Sequence, residues 1–229
     1  MWQELRSELY PQGLEIVTVA LDTGGADVVR PYIEAARPEH PSLIDQAHLM
    51  DELFGIVNVP SGVWIDEEGM IVRPPETAYP HRPTFLDRPV PADATPEVAA
   101  RIAAARKLRV EPERYLAALR DWVTWGAASR YALAPEVVLE RSRPRPVEEA
   151  TAAAHFALGQ HLHRAGRPED AVGHFRAAYR LQPDNWTYKR QAWSLLPEGQ
   201  DPRVVYGSDW LTDVGRLGAE HYYPALEME

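Results

Sequence analysis

The sequence predicts an α/β domain over residues 1–73 and an all-α domain over residues 97–229, joined by a proline-rich linker at 74–96. Three observations predict this arrangement. A β-branched, almost wholly apolar run at 14–21 lies between helical patterns, as a strand of a covered parallel sheet does. Seven prolines (74, 75, 80, 83, 89, 91 and 96) then fall within 23 residues, a density that blocks both helix and central strand. Beyond them, apolar positions recur at helical spacing as far as residue 196.

Taken in order, Trp2, Leu5 and Leu9 give a first helix, stopped by Pro11, Gln12 and Gly13. The strand at 14–21 follows, expected to be buried on both faces, and then a turn at 22–25. A helix over 26–36 places Val29, Ile33 and Ala36 on one face, with Pro31 in its first turns, where a missing donor costs least. A short strand at 42–45 leads to a helix at 47–54 that turns Leu49, Leu53 and Phe54 inward. Apolar runs at 62–66 and 70–72 flank the acidic turn Glu67-Glu68-Gly69, which indicates a β-hairpin. The linker is read as extended and laid over a surface by Tyr79 and Phe85. Thr95 caps a helix at 97–109 with Pro96 at its first position, and a second helix at 112–125 buries Tyr115, Leu116, Leu119 and Trp122. A helical hairpin spans 147–181 and a further helix 185–196. The tail from Pro197 lacks periodicity, but Tyr206, Trp210, Tyr222 and Tyr223 should pack it against the helices.

A formal charge of −10, from 24 basic and 34 acidic residues, excludes nonspecific nucleic-acid binding, which needs a cationic face. No run approaches the 18–20 apolar residues, roughly, that span a bilayer, and the charged, amphipathic start MWQELRSELY is unlike a signal peptide. A soluble, cytoplasmic protein is expected, and the wealth of Ala, Arg, Pro and Gly suits a GC-rich bacterial genome. The chain has no cysteine, so disulfides, thiolate-rich zinc sites and thiol catalysis are absent from it. No cofactor, metal or catalytic residue is expected.

The string GLEIVTVALD, followed by HPSLIDQAHLMDELFGIVNVPSGVWIDEEGMIV, resembles thioredoxin-like proteins of the TlpA/ResA and AhpC/TSA-related redoxin type. The resemblance covers residues 2–73. It implies a cis peptide at Val59-Pro60, a hairpin whose first strand ends in Ile65-Asp66, and a turn at Glu68-Gly69. It also implies that Asn58, Val59, Pro60 and Ser61 line a substrate or partner groove, because a cis bond there exposes the preceding backbone for pairing with a bound chain. Trp64 beside them becomes a candidate partner contact. The competing reading is that Pro60 merely turns the chain into the hairpin. The departure from the family is large: the helix at 2–10 corresponds to the second half of the active-site helix, so the first strand and the Cys-x-x-Cys motif would lie upstream of Met1. A selenocysteine codon read as a stop would account for such a start.

A second resemblance covers residues 152–185, which look like one tetratricopeptide repeat: Leu158, Gly159, Leu162, Gly166, Ala171, Phe175, Ala178 and Pro183 fall at its signature positions, with His155 in place of the usual Trp. These residues are structural, the small ones permitting close helix approach around Phe175. A single repeat cannot bury its own faces, so helices at 97–125 and 185–196 are expected to stack on it as degenerate repeats.

Other candidates carry less. His155, His161, His163 and His174 lack a carboxylate or thiolate at ligand spacing and are read as surface or packing histidines. The acidic groups at 66–68 and 148–149 suit a hairpin tip and a helix N-terminus, and Gly24-Gly25 is too short for a phosphate loop. The function expected is a non-catalytic protein-interaction or oligomerisation module. A protein or peptide would bind the helical domain, and an open strand edge at 14–21 would invite a homodimer. The alternative is a piece of a thiol or selenol disulfide oxidoreductase or peroxidase whose redox motif lies upstream.

Overall fold

The computed structural model describes residues 2–142 and 144–228. Helix α1 (Trp2–Leu9) buries Leu5 and Leu9, and a 3₁₀ turn over Tyr10–Gln12 ends at Gly13, whose φ of +102° requires a residue without a Cβ. Strand β1 is confined to Thr18–Leu21; Leu14 and Ile16 pack onto the core ahead of it. No residue of β1 is fully buried and Val17 is half exposed, contrary to the expectation of a strand covered on both faces. Among the described residues β1 pairs with β2 (Ser42–Asp45) alone, in parallel register from Thr18↔Ser42 to Leu21↔Asp45, so it is an edge strand of a two-stranded sheet.

The crossover between these strands is α2 (Ala26–Ala36), which buries Val29 and leaves Ala36 exposed. Pro31 sits at its sixth position, in the second turn, and removes one intrahelical donor. Helix α3 (Leu49–Phe54) also faces differently from the sequence reading. Leu49 and Leu53 are exposed, whereas Asp51 points inward. His48 before it takes a left-handed conformation at φ +57° and is itself buried, so the helix starts at 49 and the buried pair His48 and Asp51 sets its face.

Strands β3 (Ser61–Ile65) and β4 (Ile71–Thr77) form the expected antiparallel hairpin, but β4 runs on through Pro74 and Pro75 into the predicted linker. Gly62 pairs with Glu76 and Trp64 with Arg73, so the two prolines oppose the single residue Val63. A bulge of this kind leaves residues out of the ladder and so tolerates prolines in a strand. The β1–β2 and β3–β4 ladders are two separate two-stranded sheets, where the sequence predicts one.

In the helical part, α4 (Pro96–Ala105) is capped by Thr95, whose Oγ1 accepts from Val98 N at 3.3 Å. Then come α5 (Pro112–Trp125), α6 (Pro135–Arg141), α7 (Val147–Arg164), α8 (Pro168–Leu181) and α9 (Trp186–Ser194). Two further helices, α10 (Pro202–Tyr206) and α11 (Trp210–Leu217), occupy the tail read as aperiodic. Both start from an aspartate cap, Asp201 accepting from Arg203 N and Asp209 from Thr212 N. Among the described residues no helix is long and apolar enough to cross a membrane.

Three apolar clusters hold these elements. The first crosses the boundary expected at residue 73: Leu5, Leu9 and Trp64 pack with Tyr115, Ala118, Leu119 and Trp122 of α5 and with Leu226 and Met228 near the C-terminus. Helix α5 is therefore part of this core and does not stack as a degenerate repeat. The second cluster joins α7, α8 and α9. In the third, Tyr79 and Phe85 of the predicted linker meet Trp186, Trp210, Tyr222 and Tyr223.

Trp64 lies at the centre of the first cluster. It is 3% exposed, its ring stacks on Trp122 with centroids 5.0 Å apart, and its Nε1 donates to the Tyr115 hydroxyl at 3.0 Å. This corrects its reading as a partner contact. Tyr115→Phe leaves that indole N–H buried without an acceptor, and we expect a loss of about 1–3 kcal/mol in urea unfolding. Trp64→Phe removes the donor instead, leaves the Tyr115 hydroxyl buried without that partner and opens a cavity beside Trp122, so it should cost at least as much.

Candidate functional site

The tetratricopeptide-like hairpin consists of α7 and α8, turned at Gly166 with φ +74°. Its close approach depends on Gly159, where an added Cβ would lie 2.7 Å from Cε1 of Phe175. Ala152, Ala171, Phe175 and Ala178 are all buried at this contact, and Leu162 packs beside it. Leu158 is 42% exposed and Pro183 stands exposed in the loop before α9, so with the turn residue Gly166 three of the signature residues do not enter the core.

One face of the hairpin is docked on the N-terminal α/β half. Phe156 stacks on Tyr188 of α9 with centroids 4.1 Å apart and meets His48 edge-on at 5.1 Å. One turn on, Gln160 is 1% exposed, and the two hydrogens of its Nε2 are shared among Thr23 Oγ1 at 2.6 Å, His48 Nδ1 at 3.0 Å and Gln46 O at 3.3 Å. Gln191 of α9 completes the junction by accepting from Thr23 N at 3.1 Å. None of these polar residues was singled out from sequence. The available signal was Gln160 itself, a polar residue on the apolar stripe that Ala152, Ala153, Phe156 and Gly159 define.

Two titratable groups are sealed in this junction. Burial lowers the His48 ring to about 4, against the pull of the Asp45 and Asp22 charges. Burial raises the Asp51 carboxyl to about 7, with the Thr187 side chain opposing the rise and the Asp45 charge adding to it. Neither Asp51 oxygen accepts a hydrogen bond of good geometry, because the Thr187 hydroxyl donates to Asn185 Oδ1 at 2.5 Å.

The groove residues come together, but under the protein's own chain. The Val59-Pro60 peptide bond is cis. Asn58 is buried and its Nδ2 donates to Tyr222 O at 3.1 Å; the Tyr223 hydroxyl donates to Val59 O at 3.1 Å. Ser61 Oγ donates to Asn58 O at 2.7 Å, and the first amides of α9, Trp186 and Thr187, both point at Val57 O. The C-terminal tail and α9 thus bond to Val57 O, to Val59 O and to the Asn58 side chain, while Val59, Pro60 and Ser61 remain half-buried.

A cleft of about 750 Å³ opens beside this region, between the end of α3, strand β4, the start of α7 and the tail. Its charged side chains are largely spent on one another. Arg145 pairs with Glu52 at 3.0 Å, while Arg141 pairs with Glu227 at 3.0 Å and with Glu76 at 3.6 Å. At the hairpin tip, Asp66 Oδ1 accepts from Glu68 N and Met70 N, a turn-forming role.

Residues 152–185 match the tetratricopeptide repeat. No curated protein and no solved structure matches the chain.

Proposed function

We propose that the chain is a protein-interaction module whose contact element is the outward face of the tetratricopeptide hairpin. The observation that carries this reading is the repeat at 152–185 together with its docking: Phe156 and Gln160 commit one side of α7 to the chain's own α/β half. The opposite side, with Thr151, Ala154, Ala157, Leu158 and His161 exposed, is what remains for a protein or peptide partner. Repeats of this kind bind through helix faces of small and apolar residues, and a second copy of the chain is one such partner. Leu158→Arg places a charge on that face without touching the core. We expect light scattering to show any dimer of the 25.8 kDa chain revert to monomer, and any partner recovered by the unaltered chain to be lost, with the melting temperature held. Unchanged association in Leu158→Arg would refute this use of the face.

A second reading keeps the α/β half as part of a thiol or selenol oxidoreductase. What supports it is the element order, a strand, helix, strand and helix followed by a hairpin, with the two ladders unjoined as they would be around an absent central strand. The chain itself holds no thiol, so the test is the upstream coding sequence. A redox motif there, and turnover of a dithiol or peroxide substrate by the longer chain, would establish this reading; the absence of such a motif would end it.

A further inference from the structure

We propose that His155 and His174 form a two-histidine site for a late first-row divalent cation of the Zn²⁺, Ni²⁺ or Cu²⁺ class, held across the two helices of the hairpin. His155 lies on α7 and His174 on α8, with their Nδ1 atoms 2.9 Å apart, ring centroids 5.2 Å apart and ring planes 33° from parallel. Two nitrogens bound to one cation at about 2.05 Å stand roughly 2.9 Å apart for a right-angle pair and roughly 3.4 Å for a tetrahedral one. The separation already present therefore matches the edge of a coordination polyhedron. Both rings are half-buried, which leaves an ion a path from solvent.

The geometry is held from below. Each histidine is followed directly by a core anchor, Phe156 and Phe175, which are 2% and 1% exposed and pack with centroids 5.7 Å apart. That contact fixes the register of α7 against α8, and the same register sets His155 opposite His174. A site on two packed helices needs little rearrangement to bind, which is what gives a two-ligand site usable affinity.

In the metal-free pair, one neutral ring donates its Nδ1–H to the other ring's Nδ1 lone pair. A cation takes the place of that hydrogen, which moves to Nε2 of the same ring by a change of tautomer. Both Nδ1 lone pairs then bind the metal with no net loss of a proton. Among the described residues no group of three or more His, Asp or Glu side chains converges on a point, so water fills the remaining coordination positions. Imidazole donors favour zinc, nickel and copper over magnesium or calcium.

The experiment is isothermal titration of the full chain with ZnCl₂ and with NiCl₂, comparing the unaltered protein with His155→Gln, His174→Gln and the control pair His161→Gln/His163→Gln. Binding at one ion per chain is expected, weakened at least roughly 10- to 100-fold by either of the first two substitutions, the range seen even for outer-shell partners of metal ligands. The control pair should bind as the unaltered chain does. A readout independent of the variants is the ¹⁵N shift of ring nitrogens on adding zinc, expected at His155 and His174 Nδ1. The proposal is overturned if the unaltered chain binds more weakly than about 1 mM, if His155→Gln or His174→Gln keeps the affinity of the unaltered chain, or if the control pair loses affinity equally.

Discussion

Phe175→Ala lowers the stability of the chain by about 3–5 kcal/mol, the range for truncating a fully buried aromatic residue. Phe175 is 1% exposed, packs beside Phe156 and fills the space left by the missing side chain of Gly159. The cavity cannot close easily. Its walls are helix backbones held apart by the Gly166 turn on one side and by the docking of Phe156 and Gln160 on the other. Against a typical total of about 5–15 kcal/mol, such a loss takes a large share. Urea unfolding should show a lower midpoint with an unchanged slope. The reverse substitution tests the same contact: Gly159→Val drives a branched side chain into the Phe175 ring and should cost about 1–3 kcal/mol from overpacking. Gly159→Ala should be milder, because the roughly 1 kcal/mol gained in helix propensity offsets part of the clash. A wild-type midpoint for Phe175→Ala would mean that the hairpin contributes little to the fold.

The elements most legible in the sequence are those whose signals are local. Thr95-Pro96 marks the start of α4 because a cap and a first-turn proline act within one turn, and the Leu158-Gly159 pair locates the hairpin because close helix approach demands a small residue there. The strand at Ser42–Asp45 and the helix at Pro112–Trp125 were legible from periodicity. What escaped was decided by distant partners. Pro74 and Pro75 read as linker because a bulge depends on the opposite strand, where Val63 alone faces them. Trp64 read as an exposed contact because its cover, Trp122 and Tyr115, comes from a helix some fifty residues on. Leu49 and Leu53 read as inward, but α7 and α9 select the other side of α3, the side carrying Asp51. The groove residues form a group in the sequence, and only the fold shows that the Asn58 side chain already bonds Tyr222 O and that Val59 O already accepts from the Tyr223 hydroxyl.

The same junction governs the pH dependence of stability, through two groups of opposite sign. His48 is lowered from 6.5 to about 4, so its ring stays neutral in the fold. Its contribution is complete above about pH 6.5 and is lost as pH falls towards 4, because the unfolded chain binds the proton first. Asp51 is raised from 3.8 to about 7. Its contribution is complete below about pH 4 and is lost as pH rises through 7, because the folded chain must then ionise a buried carboxyl. At 1.36 kcal/mol per unit, the full swings are about 3 and about 4 kcal/mol. Between about pH 4 and 6.5 the two slopes oppose each other, so their joint contribution to the unaltered chain is nearly flat there and falls between about 6.5 and 7. Asp51→Asn keeps the shape and removes the charge. It should raise the urea midpoint at pH 8, leave it unchanged near pH 4, and expose a stability that climbs with pH across the His48 window. His48→Asn, a residue that tolerates the left-handed conformation at this position, should do the reverse and expose a steady decline from about pH 4 to 7. The opposite slopes of the two variants distinguish this account from a general effect of net charge, which is −10 in the unaltered chain and would bend both profiles the same way. Parallel profiles for the two variants would mean that the junction does not titrate as a pair of sealed, opposing groups.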